Sequence, residues 1–196
     1  EYRTAGLIFL ALGLTTLVLY FVTKDKNIFF GIKQGNYIKK MSVGLGVAVG
    51  FLVISNVMPG FSILIPSLSL SILSSLRFTV IVFTAPGTEE NFFNDVLLNI
   101  LIHSYGLAFW WANVIKSIVF AGYHILVYGV TLGTLASLTE LFGGVIAISG
   151  LLFTAFLFSL VVGFVAYKFK DILPGWFAHL SLNLALFSFE FFVATV

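Results

Sequence analysis

The chain has 196 residues, 60% of them hydrophobic and only 9% charged, with a formal net charge of +2 and a mean hydropathy of +1.11. A soluble domain carries about 25% charged residues, and a fold of this length leaves too much surface exposed to hide so much apolar area from water, so the composition specifies a polytopic membrane protein. The small net charge gives no footprint for nucleic acid, and the absence of cysteine excludes disulfides, thiolate catalysis and Cys-ligated metals.

A membrane-spanning helix needs about 20 apolar residues, and the pattern predicts an all-α bundle of eight, over 5–23, 41–58, 63–85, 88–106, 109–128, 130–148, 150–168 and 173–193. No A-x-A-like cleavage site follows the first apolar run, Ala5 to Val22, which reads as a span and not a signal peptide. The chain begins at Glu1 and not at methionine, so further N-terminal sequence is expected. Arg77 interrupts the third span. The apolar stretch 130–168 is too long for one crossing, and Gly143, Gly144 and Gly150 are the expected breaks. No internal repeat appears, and residues 1–196 read as a single transmembrane domain.

Orientation is read from lysine. The polar loop KDKNIFFGIKQGNYIKK (24–40) holds Lys24, Lys26, Lys33, Lys39 and Lys40, which the positive-inside rule places in the cytoplasm. With eight crossings, the turns at Ala85–Gly87 and Tyr128–Gly129 and the 168–172 link, with Lys168 and Lys170, share that face. Both termini then lie outside, and Trp110 and Trp111 form an outer interfacial belt. Lys116, about two turns inside that belt, must snorkel or pair.

Ionisable groups within a membrane cost at least ~2.5 kcal/mol each on insertion scales. Here they are Arg77, Glu89, Glu90, Asp95, His103, Lys116, His124, Glu140, His179 and Glu190. In this topology Glu89 and Glu90 begin the fourth helix at the cytoplasmic side. At ~1.5 Å per residue, His124 lies about 6 Å from the same face and His179 about 7 Å. Three helices thus bring polar groups to one level. His179 and Asn183 are i, i+4, as are Phe120 and His124, so each pair shares a helix face. A carboxylate beside an imidazole suits general-base work, and a second histidine with an amide offers donors to an oxyanion. A plain structural reading stands beside this one. Single histidines tie membrane helices together, acids at a helix start favour its dipole, His103 and Glu190 lie near outer helix ends, and the lysine loop is a topology signal.

Three stretches, EENFFN (89–94), FAGYH (120–124) and HLSLN (179–183), follow in order the pattern EExxxR, FxxxH, HxxxN. They resemble the CPBP intramembrane protease family (CAAX protease and bacteriocin-processing, or ABI), with the motif-bearing core at about 85–196. The resemblance implies a glutamate-dependent intramembrane peptidase, without a cofactor, in which Glu89 and His124 activate a water molecule. His179 and Asn183 would stabilise the oxyanion, with Glu90 and Phe120 in support. Its partners would be membrane lipid and a membrane-borne peptide, of the prenylated CAAX type or bearing a leader. One position departs from the pattern: Asn94 stands where arginine is expected, followed by Asp95. Arg77 and Asp95 each lie nine residues from Pro86, so a helix hairpin would bring them to one depth, and Arg77 is expected to pair with Asp95 and restore the lost charge. The alternatives are a non-catalytic relative serving as a binding subunit of a membrane complex, a proton-coupled carrier, and a zinc site of two histidines and a glutamate, although no HExxH is present.

Overall fold

The computed structural model describes residues 2–23, 29–57, 84–128 and 138–193, which hold helices and no strands. In chain order these are α1 (Tyr2–Val22), α2 (Tyr37–Val57), α3 (84–103), α4 (Phe109–Tyr128), α5 (Leu138–Phe169) and α6 (Leu173–Val193). The third and part of the sixth expected spans, including Arg77, lie outside the described residues. The helices α2 and α6 pack together, as do α4 and α5, and α3 runs against α1, α4 and α5.

The bundle is apolar on its outside. Leu10, Leu14, Leu17, Val18 and Phe21 of α1 and Trp110, Trp111 and Ile118 of α4 are exposed, whereas Glu89, Glu90, Asn94, Asn99, Asn113, Lys116 and Asp171 are buried. That is the reverse of a water-soluble surface, and it suits a solvent of lipid tails in which polar groups must find partners inside the protein. Thr15, Thr16 and Thr23 meet the same demand locally, each donating its hydroxyl to the carbonyl four residues back. By length and composition, two described helices are long and apolar enough to cross a membrane, over Tyr37–Ile54 and Leu152–Phe169.

The structure corrects the helix directions. The expected break within 150–168 and its predecessor is missing: α5 runs unbroken for 32 residues through Gly143, Gly144 and Gly150. Removing one crossing there reverses α3 and α4 relative to the 170–172 link. Phe109 and Trp110, which open α4, stack on Tyr167 and Phe164 near the end of α5, with ring centroids 4.1 and 5.8 Å apart. The links after α1, α3 and α5 therefore meet at one end of the bundle. The tryptophans stand at the lysine-bearing end, and Tyr128 at the far one. Length alone misled here, because a helix this long exceeds the ~20 residues a bilayer core requires without being two helices.

The polar loop does more than mark topology. Phe29 and Phe30 are buried, and Phe30 joins Leu98, Ala112, Ala166 and Ile172 in a core cluster. Both Phe30 and Gly31 donate backbone N–H groups to the Asp95 carboxylate. The Ile172 N–H donates to the Gly31 carbonyl at 3.0 Å. Asp171 ties the rest: it accepts from the Leu173 N–H at 2.8 Å, capping α6, from the Lys33 N–H at 3.0 Å, and from the buried Lys40 ammonium. Pro174 fits the first turn of α6, where its missing N–H is no loss. Gly44 lets α2 approach α6 closely, because a Cβ there would overlap the Pro174 carbonyl.

Breaking a buried ion pair strands the surviving charge. Asp171→Ala should lower stability by about 3–5 kcal/mol, read from thermal unfolding in detergent. Asp171→Asn, which keeps an acceptor for the Leu173 N–H, should recover part of the loss.

Candidate active site

The site is built on an irregularity of α3. From Glu90 to Leu97 the helix is π-wound, and the Leu98 N–H donates to the Phe93 carbonyl five residues back. Short π segments are rare and cluster at functional sites. Here the segment is enclosed almost all round, so Phe93, Asn94, Asp95 and Val96 are buried in succession, along with Glu89 and Glu90 just before them. Asn91, by contrast, is exposed and turns its amide back to the Gly87 carbonyl.

Four helices contribute side chains. His179, one and a half turns into α6, stands between the two carboxylates: its Nδ1 is 3.3 Å from Glu90 Oε1 and its Nε2 is 3.6 Å from Glu89 Oε2. From α4, the Tyr123 hydroxyl donates to Glu89 Oε1 at 3.3 Å. The other Glu89 oxygen is buried and has no hydrogen-bond partner among the described residues. His124 lies one turn beyond Phe120, with ring centroids 4.5 Å apart. Its Nδ1 lies 2.8 Å from the Phe120 carbonyl; a carbonyl only accepts, so Nδ1 carries the proton, and the lone pair of the neutral ring belongs to Nε2. Phe120 also reaches His179, at 6.3 Å between centroids, and Phe158 of α5 flanks that imidazole at 5.3 Å. Phe93, Phe120 and Tyr123 form the apolar wall. Asn183 is half-buried one turn past His179 on the same face of α6.

Glu90 is held from its other side. Asn94 donates its amide to Glu90 Oε2 at 2.6 Å, and the Asn94 carbonyl oxygen accepts from the Lys116 ammonium at 2.8 Å. That ammonium, fully buried, also donates to the Ser159 carbonyl at 2.6 Å and the Ser159 hydroxyl at 2.9 Å. Two glycines make the room. A Cβ on Gly175 would meet Glu90 Oε2 at 2.7 Å and Val162 at 2.5 Å, and one on Gly163 would collide with the Asn113 side chain and the Lys116 ammonium.

Of the residues singled out in the sequence, Glu89, Glu90, Asn94, Phe120, His124 and His179 are thus brought together, and Lys116 resolves its own anomaly by pairing. Asp95 belongs to the loop clasp. Arg77 lies outside the described residues, so its pairing with Asp95 does too; the Asp95 carboxylate takes the N–H groups of Phe30 and Gly31. His103 ends α3, exposed. Sequence reasoning missed Tyr123, Ser159, Gly163 and Gly175. Tyr123 adjoins His124 in the second motif; the others carry no local signal.

Two carboxylates and two imidazoles are thus held by helices inside a bundle whose exterior is apolar. A family model for the type II CAAX prenyl endopeptidase Rce1-like proteins matches residues 71–185. The chain belongs to that family, and the motif resemblance read from the sequence agrees with it. Comparisons with curated proteins and with solved structures returned no match.

The Gly175 contact yields a test of this packing. Gly175→Ala must displace Glu90 or Val162 and should destabilise the protein by about 1–3 kcal/mol, as overpacking does. Gly46→Ala, on α2 with open space around it, should leave the thermal midpoint unchanged or raise it.

Proposed function

We propose that the protein is a multi-pass intramembrane peptidase that hydrolyses a membrane-associated peptide of the prenylated CAAX type by a glutamate-activated water. Glu89 takes a proton from the water as its oxygen attacks the scissile carbonyl, with His124 Nε2 as the second acceptor for that proton. The carbonyl becomes an oxyanion, which Asn183 and the Nε2–H of a doubly protonated His179, its Nδ1–H on Glu90, stabilise by donating hydrogen bonds. Collapse of the tetrahedral adduct breaks the C–N bond, and the proton held by the Glu89–His124 pair passes to the leaving amine. Glu90 does not meet the substrate; it holds His179 by Nδ1.

The observation that carries this reading is Glu89 itself. Its carboxylate is buried, one oxygen is held by Tyr123, and the other faces His179 Nε2 at 3.6 Å without a hydrogen-bond partner among the described residues. An acid placed only for structure would have both oxygens satisfied. The lysine-bearing end, with Lys33, Lys39, Lys40, Lys168 and Lys170, faces the cytoplasm by the positive-inside rule. His179 lies about 9 Å from that end of α6 at ~1.5 Å per residue, a depth within reach of a peptide tail whose lipid stays in the bilayer. The rival reading, a non-catalytic binding subunit, draws on Asn94 standing in the arginine position.

Purified protein in proteoliposomes should release the C-terminal tripeptide from a farnesylated CAAX peptide. Glu89→Ala and His124→Ala should each reduce the rate by about 10²–10⁴-fold while thermal unfolding stays cooperative. Equal rates for wild type and both variants would sink the peptidase reading, and a wild type that binds the peptide without cleaving it would favour the binding subunit.

A further inference from the structure

We infer that Lys116 is a positioning residue of the site: through the Asn94 amide, its ammonium supplies the positive charge that holds Glu90, and with it His179, in register with Glu89. The functional half of this inference rests on the peptidase reading; the structural half does not.

Lys116 touches no carboxylate. Its three N–H donors meet three acceptors, the Asn94 carbonyl oxygen, the Ser159 carbonyl and the Ser159 hydroxyl, which saturates an ammonium. Because an ammonium only donates, Asn94 must turn its oxygen to Lys116 and its NH₂ to Glu90. The amide is therefore polarised in one sense, with its positive end on Glu90 Oε2 at 2.6 Å. Glu90 Oε1 in turn holds His179 Nδ1, and His179 Nε2 faces Glu89. The result is one directed chain, Ser159–Lys116–Asn94–Glu90–His179–Glu89, drawn from α3, α4, α5 and α6.

Two further observations point to charge and not to helix adhesion alone. Adjacent carboxylates at Glu89 and Glu90 repel each other in a low-dielectric interior, and among the described residues Lys116 is the cation that reaches them on the Asn94 side. The bundle also gives up a side chain to admit it, since any Cβ at Gly163 would collide with the ammonium and with Asn113. Asn94 occupies the position where the motif pattern carries arginine, so in this chain the charge comes from the neighbouring helix and reaches Glu90 across an amide.

The test moves the charge back. Wild type, Lys116→Met, Lys116→Ala, Asn94→Asp and the double variant Lys116→Ala with Asn94→Arg are compared in proteoliposomes. The readouts are farnesyl-CAAX peptide cleavage, thermal unfolding, and the infrared carboxyl band of Glu90, assigned by difference against Glu90→Gln. Lys116→Met and Asn94→Asp should fold, lose cleavage on the order of 10²-fold, as small misplacements in a site do, and alter the Glu90 band. The double variant should recover both cleavage and the wild-type band. Wild-type cleavage and an unchanged band in Lys116→Met would overturn the inference. Should the single variants not fold, the double variant decides: folded and cleaving supports it, folded with the band still altered overturns it. If wild type cleaves nothing, the peptidase reading fails, and the Glu90 band in Lys116→Met against the double variant still decides the role of Lys116.

Discussion

Charge compensation in a medium that cannot solvate charge governs this structure. Two neighbouring carboxylates are buried in the centre of an apolar bundle, and such groups persist only where partners replace the lost water. The partners come from every side: an imidazole from α6, a phenol from α4, an amide from α3 itself and, behind the amide, an ammonium whose donors are all used. The wider π turn, the missing side chains at Gly163 and Gly175, and the aromatic wall of Phe93, Phe120 and Tyr123 follow from the same need. Each gives a polar group room to reach its partner, or keeps lipid away from it.

Most of the site was legible in the sequence, because helical spacing is local. Phe120 and His124, or His179 and Asn183, share a face whatever the bundle does with them, and adjacent glutamates in a greasy chain announce a polar pocket. The global arrangement was less legible. Counting crossings by length divided α5 in two, and that error turned α3 and α4 end for end. Lys116 stood out as a misplaced charge, yet its partners could not be named. Two of its three acceptors belong to Ser159, 43 residues on, and one of those is a backbone carbonyl, which no side-chain pattern reveals. Gly163 and Gly175 resemble any other small residues of membrane helices.

The loop between α1 and α2 was also undervalued. Its lysines drew notice as an orientation signal, while its phenylalanines and backbone amides do the packing. Phe30 seals the cluster beneath Leu98 and Ile172, and Lys40 reaches back to the carboxylate that caps α6. A carboxylate in a short link, Asp171, thereby fixes three chain segments at once. Its cap on the Leu173 N–H is local, but the partners that join it to the loop and α2 lie 131 and 138 residues away and leave no mark in its neighbours.

Asp95 and Glu90 sit on the same π turn, one gripping the loop's amides and the other gripping His179. The loop's anchor and the carboxylate that holds His179 are therefore carried by a single turn of one helix. A shift of that turn would move the loop's anchor and the histidine's partner together.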